Sequence, residues 1–251
     1  MEFVTLNNGI KMPVLGYGVY QVDPVETVRC VLDAIEVGYR SIDTAQAYGN
    51  EEGVGNAIVK CGVPREELFL TTKVWITNAG YENAKRSIEE SLNKLQSEYI
   101  DLLLIHQPFN DYYGTYRAME EAYRAGKVRA IGVSNFYPDR FVDLANFCEV
   151  VPAVNQVEFH PLFNQKELLS YCKSEGIAVQ AYAPLARGAY LHSQLLLEIG
   201  SRYQKTTAQI GLRWLVQQGV SAIPKSTHKD RILENADIFD FSLTEEEMNE
   251  A

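Results

Sequence analysis

Four residues of this sequence have the types needed to move a proton at neutral pH: Asp43, Tyr48, Lys73 and His106. A tyrosine hydroxyl titrates near ~10, too high for an efficient acid at pH 7. A neighbouring ammonium lowers that value by favouring phenolate, and a buried carboxylate can hold the lysine in place. Asp43, Lys73 and Tyr48 fit such a chain, and a neutral His106 fits the task of donating a hydrogen bond that orients a substrate oxygen. The set suits protonation of a carbonyl oxygen as hydride arrives at its carbon. Side chains supply no hydride, so a nicotinamide or flavin group is required. Each residue alone has a plain structural reading: Asp43 a helix cap, Lys73 a snorkelling side chain, His106 a bonded structural histidine, Tyr48 one tyrosine among fifteen. Their joint occurrence carries the argument.

Asp43, Lys73 and His106 lie at the ends of short apolar runs and Tyr48 follows one; these runs are the elements that must position them. The runs are Leu15–Tyr20, Arg40–Thr44, Leu68–Val74, Ile100–His106, Val128–Ser134, Val154–Glu158, Ile177–Ala181 and Ala222–Pro224. Between them lie helical patterns such as Val25–Val37, Tyr81–Leu95, Thr115–Ala125, Gln165–Ser174 and Ala208–Gln217, where apolar residues recur three and four apart, as Ile88, Leu92 and Leu95 do. Thr206 with Gln209 predicts a capping box, and Gly38, Gly126, Gly176 and Gly219 sit where helices stop before a strand. Eight strands, each followed by a crossover, predict an α/β chain whose parallel sheet closes as a (β/α)8 barrel, with a doubly wound sheet as the alternative. Phe3–Leu6 and Lys11–Val14 around Asn7-Asn8-Gly9 read as a β-hairpin closing one barrel end. No linker or low-complexity tract interrupts residues 1–251, which read as one domain. In a barrel the strands' C-terminal ends share one rim. Ser134-Asn135, Asn155-Gln156, Tyr182 and Lys225-Ser226 then join the first four residues there.

No dinucleotide fingerprint of the Gly-x-Gly-x-x-Gly type is present: Gly16-Tyr17-Gly18 is followed by Gln21, and Gly53-Val54-Gly55 by Ile58. No GxxxxGK[ST] loop occurs either. A barrel can bind phosphate at its last two loops instead, and there Lys225-Ser226-Thr227-His228-Lys229-Asp230-Arg231 concentrates positive charge in a chain of net charge −10. That net charge argues against nucleic acid or an anionic membrane as partner. No run approaches the ~18 apolar residues that span a bilayer, and the opening residues lack a secretion leader's pattern, so a cytoplasmic protein is expected. The four cysteines show no CxxC spacing and read as reduced, structural thiols. The four histidines form no HxH or HExxH pair, so no metal site is expected.

Three stretches together resemble the aldo-keto reductases: Gly38-Tyr39-Arg40-Ser41-Ile42-Asp43-Thr44-Ala45 with Tyr48-Gly49-Asn50-Glu51, Tyr99–His106, and Ile223-Pro224-Lys225-Ser226 with Arg231 and Glu234-Asn235. Gly132–Phe136, Asn155–Glu158 and Ala181–Leu185 fit as well, so the likeness covers nearly the whole chain. It implies reduction of a small-molecule carbonyl by NADPH in a monomer. Tyr48 is then the general acid, tuned by Lys73 and Asp43, and His106 orients the carbonyl. It also implies that Ser134, Asn135 and Gln156 hold the nicotinamide carboxamide, with Tyr182 stacked on its ring and Leu185 along the pyrophosphate. Lys225, Ser226 and Arg231 would take the 2′-phosphate, and Glu234 and Asn235 the adenine side.

Two departures stand against that likeness. The sequence stops at Ala251, shortly after a helix that Thr244 and Glu247 cap, where similar proteins continue with a tail, so a short or cut tail is expected. Gln107 stands where many relatives place tryptophan, which resembles bacterial members acting on small or sugar-derived carbonyls. His160-Pro161 reads as structural. The rival readings are a non-catalytic NADP(H)-binding or sensing barrel and a metal-dependent barrel hydrolase.

Overall fold

The computed structural model describes residues 2–251. A hairpin of β1 (Phe3–Thr5) and β2 (Lys11–Pro13) opens the chain, followed by β3 (Tyr17–Gly18), α1 (Pro24–Val37), β4 (Ser41–Asp43) and α2 (Glu51–Lys60). Then come β5 (Phe69–Val74), α3 (Tyr81–Leu95), β6 (Ile100–Ile105), α4 (Tyr112–Arg124), β7 (Val128–Ser134), α5 (Pro138–Phe147) and β8 (Val154–Glu158). The rest comprises α6 (Lys166–Ser174), β9 (Ala178–Tyr182), α7 (Gln194–Tyr203), α8 (Thr207–Gln217), β10 (Ser221–Ala222), α9 (Lys229–Ala236) and α10 (Glu245–Glu250). Strands β3 to β10 lie side by side in chain order, every pair parallel.

The sheet closes on itself. Ala222 N–H donates to Val14 O (2.8 Å), Gly16 N–H to Ala222 O (2.9 Å) and Gly18 N–H to Pro224 O (3.1 Å). Leu15 and Ala222 form a parallel bridge across this seam. The expected barrel is therefore the observed one. Its seam strands are shorter than the apolar runs suggest: Tyr17–Gly18 rather than Leu15–Tyr20, and Ser221–Ala222 rather than Ala222–Pro224. Pro224 has no N–H to continue a ladder, so pairing there thins to scattered single bonds.

Period-two alternation divides the strand residues into two cores. Leu70, Leu103, Ile105, Ile131, Val133 and Val179 face outward into the large cluster shared with the helices. Phe69, Leu102, Leu104, Ala130, Val154 and Ala178 pack inside the barrel with Leu6 and Met12 of the hairpin. The hairpin thus covers the end opposite the rim, with Leu6 N–H donating to Ile10 O at 2.8 Å and Gly9 left-handed (φ 85°) in its turn. Each inward row continues from apolar residues at the plugged end to polar ones at the rim, as in Phe69, Thr71, Lys73 or Val154, Gln156, Glu158.

The caps follow the expected chemistry. Thr206/Gln209 and Thr244/Glu247 both form complete capping boxes. Gly38, Gly126, Gly176 and Gly219 all take positive φ after a helix. Helix α4 starts three residues before the expected Thr115 because Asp111 caps it, its Oδ1 accepting from Gly114 N–H at 2.7 Å. Helices α2, α5, α7 and α9 complete the outer ring and are not named by the apolar periodicity. In α2 the cause is visible: a Cβ on Gly55 would lie 2.3 Å from Lys94 O, so this helix presents a glycine where α3 crosses it.

Candidate active site

The inward residues at the rim meet as one connected polar cluster. Lys73 ends its inward row on β5 fully buried, and Asp43 at the end of β4 is 2% exposed. Lys73 Nζ donates to Asp43 Oδ1 at 2.5 Å and to Thr44 O at 2.9 Å, and lies 3.4 Å from Tyr48 Oη. Tyr48 is placed by a single helical turn, Gln46–Tyr48, that follows β4 and ends on Gly49 in the left-handed region. Its ring meets His106 edge-on at 5.6 Å between centroids. All four expected residues are therefore brought together, and the snorkelling alternative for Lys73 is excluded by its burial.

Electrostatics assign their protonation states. Burial works to lower the Lys73 ammonium, but Asp43 and then Tyr48 outweigh it and hold the lysine above its ordinary value. Burial, with Lys73 as a second cause, pushes His106 down to about 3, so the imidazole is neutral. Its Nδ1 is buried with no partner. The tautomer protonated on Nε2 is the one that leaves no buried N–H unpaired at Nδ1. Tyr48 corrects the expectation of a lowered value. Burial raises it, and the opposing pull of Lys73 reduces the rise without reversing it. The hydroxyl is thus held protonated at neutral pH, with the stabiliser of its anion already alongside.

The expected nicotinamide contacts adjoin this cluster. Ser134 Oγ donates to Gln156 O (2.9 Å), and Asn135 Nδ2 donates to His106 O (3.0 Å) and Ser134 Oγ (3.2 Å). Tyr182 Oη donates to Asn135 Oδ1 at 2.8 Å. Gln156 reaches the acid–base group directly, its Nε2 donating to Asp43 Oδ2 at 2.8 Å. Strand alternation separates Asn155 from its neighbour: it turns away from the rim and donates to Phe136 O at 2.6 Å. After β9 the chain takes left-handed φ at three non-glycine residues, Ala183 (46°), Ala186 (47°) and Arg187 (52°), around half-buried Leu185. Strain of this kind gathers at ligand-holding loops.

The residues expected at the phosphate lie just after β10 and on α9. A cleft of about 750 Å³ is lined by Lys225, Thr227, His228 and Lys229 with Arg29, Gln21 and acidic residues of α1 and its approach. Lys229 is paired to Glu36 at 2.7 Å, and Arg29 to Asp33 at 2.8 Å. Lys225 and Arg231 form no ion pair among the described residues; Arg231 stands on α9 outside that lining. The loop is anchored from beneath: buried Tyr17 Oη donates to Ser226 O at 2.5 Å and Arg29 Nη2 to Thr227 O at 3.2 Å. Asn235 is 4% exposed yet its amide bonds to no described residue. Glu234 instead accepts from Thr206 Oγ1 at 2.8 Å, tying α9 to the N-cap of α8.

These features fit a nicotinamide dinucleotide: cations without ion pairs at one end, the unbonded amide of largely buried Asn235 near them, and hydrogen-bonding amides next to the His106 imidazole at the other. Two aromatic walls were not singled out from sequence. Trp75 lies 4.9 Å from the His106 ring, and exposed Tyr20 lies 5.0 Å from the Tyr48 ring. Both follow a barrel strand by one or two positions, which is the signal that finds them. Among the described residues no group of three metal-ligating side chains occurs, and no helix is long and apolar enough to cross a membrane.

Lys73→Met leaves Asp43 buried with its cation gone and should cost about 3–5 kcal/mol of stability. Denaturant unfolding of the two proteins measures this; a difference below about 1 kcal/mol would mean that the pair does not hold the barrel mouth together.

Comparison with known proteins agrees with this geometry. The family model described as "Aldo/keto reductase family" matches residues 13–251. The chain is 51% identical to the glyoxal reductase of Bacillus subtilis (strain 168) over 250 residues, covering 99% of this chain and 91% of that protein. Among solved structures, an aldo/keto reductase from Brucella melitensis superposes with a TM-score of 0.97 at 43% identity, covering 99% of this chain and 97% of that one. A Bombyx mori aldo-keto reductase in complex with NADP superposes at 0.94 with 38% identity, covering 99% and 91%. A rim with this cluster, on a barrel matched along almost its whole length, places the chain in the aldo/keto reductase family.

Proposed function

We propose that this chain reduces aldehydes and ketones to alcohols with NADPH, Tyr48 giving the proton. The observation that carries the reading is Lys73 Nζ, held between Asp43 Oδ1 and Tyr48 Oη beside a neutral imidazole. The chemistry that a nicotinamide held by the residues named below would supply is a hydride for the carbonyl carbon. His106, protonated on Nε2, donates a hydrogen bond to the carbonyl oxygen and fixes its direction. Tyr48 donates its hydroxyl proton to that oxygen as negative charge gathers there. The phenolate left behind forms next to the Lys73 ammonium, which Asp43 keeps charged, and solvent returns the proton afterwards. Burial raises the energy of that phenolate in the resting protein; the fixed ammonium offsets it at the moment of transfer, an electrostatic contribution that needs no reorganisation.

Ser134, Asn135 and Gln156 hold the carboxamide in this reading, Tyr182 lies against the ring, and Leu185 borders the pyrophosphate. Lys225, Ser226 and Arg231 receive the 2′-phosphate, and Asn235, with Glu234 behind it, meets the adenine. The two unpaired cations support NADPH over NADH, since phosphate is recognised by charge-assisted donors and Arg231 can bind it bidentately. Trp75, Tyr20 and Tyr48 wall the mouth closely, which supports small carbonyl substrates. The glyoxal reductase relative supports short α-dicarbonyls among them.

Tyr48→Phe should lower turnover of small aldehydes by about 10²-fold or more, the scale of a lost general acid, while NADPH binding measured by fluorescence is unchanged. Full activity in the variant would overturn the mechanism, and NADPH binding with no turnover in the parent would leave a binding protein. Arg231→Ala should weaken NADPH by about 10- to 150-fold and NADH by far less, as a charge-assisted bond of about 1.5–3 kcal/mol requires. An equal loss for both would remove Arg231 from the phosphate site.

A further inference from the structure

Beneath the rim, the barrel interior holds a chain of polar side chains running from the hairpin to Asp43. Ser221 Oγ donates to Pro13 O at 3.1 Å. Gln180, fully buried on β9, donates through Nε2 to Ser221 Oγ at 3.3 Å. Its Oε1 accepts from Gln156 Nε2 at 2.6 Å, and the same Nε2 donates to Asp43 Oδ2 at 2.8 Å.

The direction of this chain is dictated from both ends. A proline carbonyl only accepts, so Ser221 must donate to it and receive its own bond from Gln180. The Gln180 amide nitrogen then faces Ser221 and its oxygen faces Gln156. At the other end Asp43, ionised against Lys73, also only accepts, so Gln156 must present its nitrogen there. Both ends demand the same amide orientations. Gln156 has two N–H groups and both are committed. Its Oε1 accepts from no described residue and is not among the buried polar atoms left without a partner, so it is the one group Gln156 still offers at the rim.

We propose that Gln180 is a positioning residue that makes Gln156 an acceptor only, so that the site selects a ring substituent carrying N–H. It touches neither cofactor nor substrate. Asp43 holds one N–H of Gln156 and Gln180 the other; without Gln180 the amide can pivot on its Asp43 bond and bring the second N–H toward the rim. This rests on the carboxamide-binding role given to Gln156 above.

The test uses binding, without turnover. NADP+ and its 3-acetylpyridine analogue differ at the ring substituent: the carboxamide NH2 becomes a methyl group while the carbonyl is kept. Fluorescence titration of the parent protein should show NADP+ binding roughly three- to tenfold tighter, the worth of one hydrogen bond. In Gln180→Met the freed N–H of Gln156 can serve the acetyl oxygen, so the preference should fall toward one. In Gln180→Glu the acceptor facing Gln156 is retained, and so should be the preference. A role in packing alone would weaken both ligands by the same factor and leave their ratio unchanged. That outcome, an unchanged Gln180→Met, or equal binding of the two ligands by the parent protein would overturn the inference. If Gln180→Met does not fold, a lost preference in a folded Gln180→Glu overturns it equally. Failure of the parent protein to bind NADP+ at all would instead remove the functional reading on which it stands.

Discussion

Two opposite charges, Lys73 and Asp43, are closed inside the barrel with almost no contact with water, and the arrangement of the rim follows from the need to accommodate them. Removing an ammonium and a carboxylate from solvent costs several kcal/mol per ion, which their attraction repays only when the remaining donors and acceptors are also satisfied. The structure meets that condition on every side: Thr44 O and Tyr48 Oη complete the ammonium, and Gln156 completes the carboxylate. These partners come from the loop after β4 and from β8, while the lysine itself comes from β5. The pair is thus a constraint on register. Shifting β4, β5 or β8 by one residue would turn Asp43, Lys73 or Gln156 to the outer face and strand a charge.

The same constraint explains why the protonation states suit carbonyl reduction. Burial keeps Tyr48 protonated and His106 uncharged, so in the proposed mechanism one group can give a proton and the other a hydrogen bond without competing for the same charge. The polar chain through Gln180 and Ser221 carries this order down to the hairpin strand β2. Core packing and site geometry are continuous here: Met12, a core residue under the barrel, lies 3.8 Å through its sulfur from the Gln180 amide.

Much of this was legible in the sequence because it depends on local rules. The alternation of apolar runs with helical periods reveals eight β/α units, and polar residues ending those runs must share a rim once the barrel is accepted. Asp43, Tyr48, Lys73 and His106 are found that way. Glycine stops and the two capping boxes also need only short-range chemistry. What escaped has tertiary causes. The seam strands are brief because Pro224 interrupts their ladder, and α2 was obscured by Gly55, whose presence is explained only by the approach of Lys94 O. The sign of the Tyr48 shift depends on burial from several elements at once, whereas the sequence shows only that a lysine is available. Gln180 reads as one polar residue in an apolar strand, and its meaning appears only when Ser221 and Gln156 are seen on either side of it.

In the proposed mechanism the proton comes from a tyrosine held neutral beside a fixed ammonium, with no histidine charge involved. The single-turnover rate of aldehyde reduction, measured against pH, distinguishes this from transfer by a charged histidine. With His106 neutral above about 3 and Tyr48 raised above its ordinary value, the rate should be level from about pH 5 to 8 and fall only in the alkaline range, as the phenol ionises. A rate that instead changes through a group near about 6.5 would place a titrating histidine in the step and rule out Tyr48 acting beside a neutral imidazole.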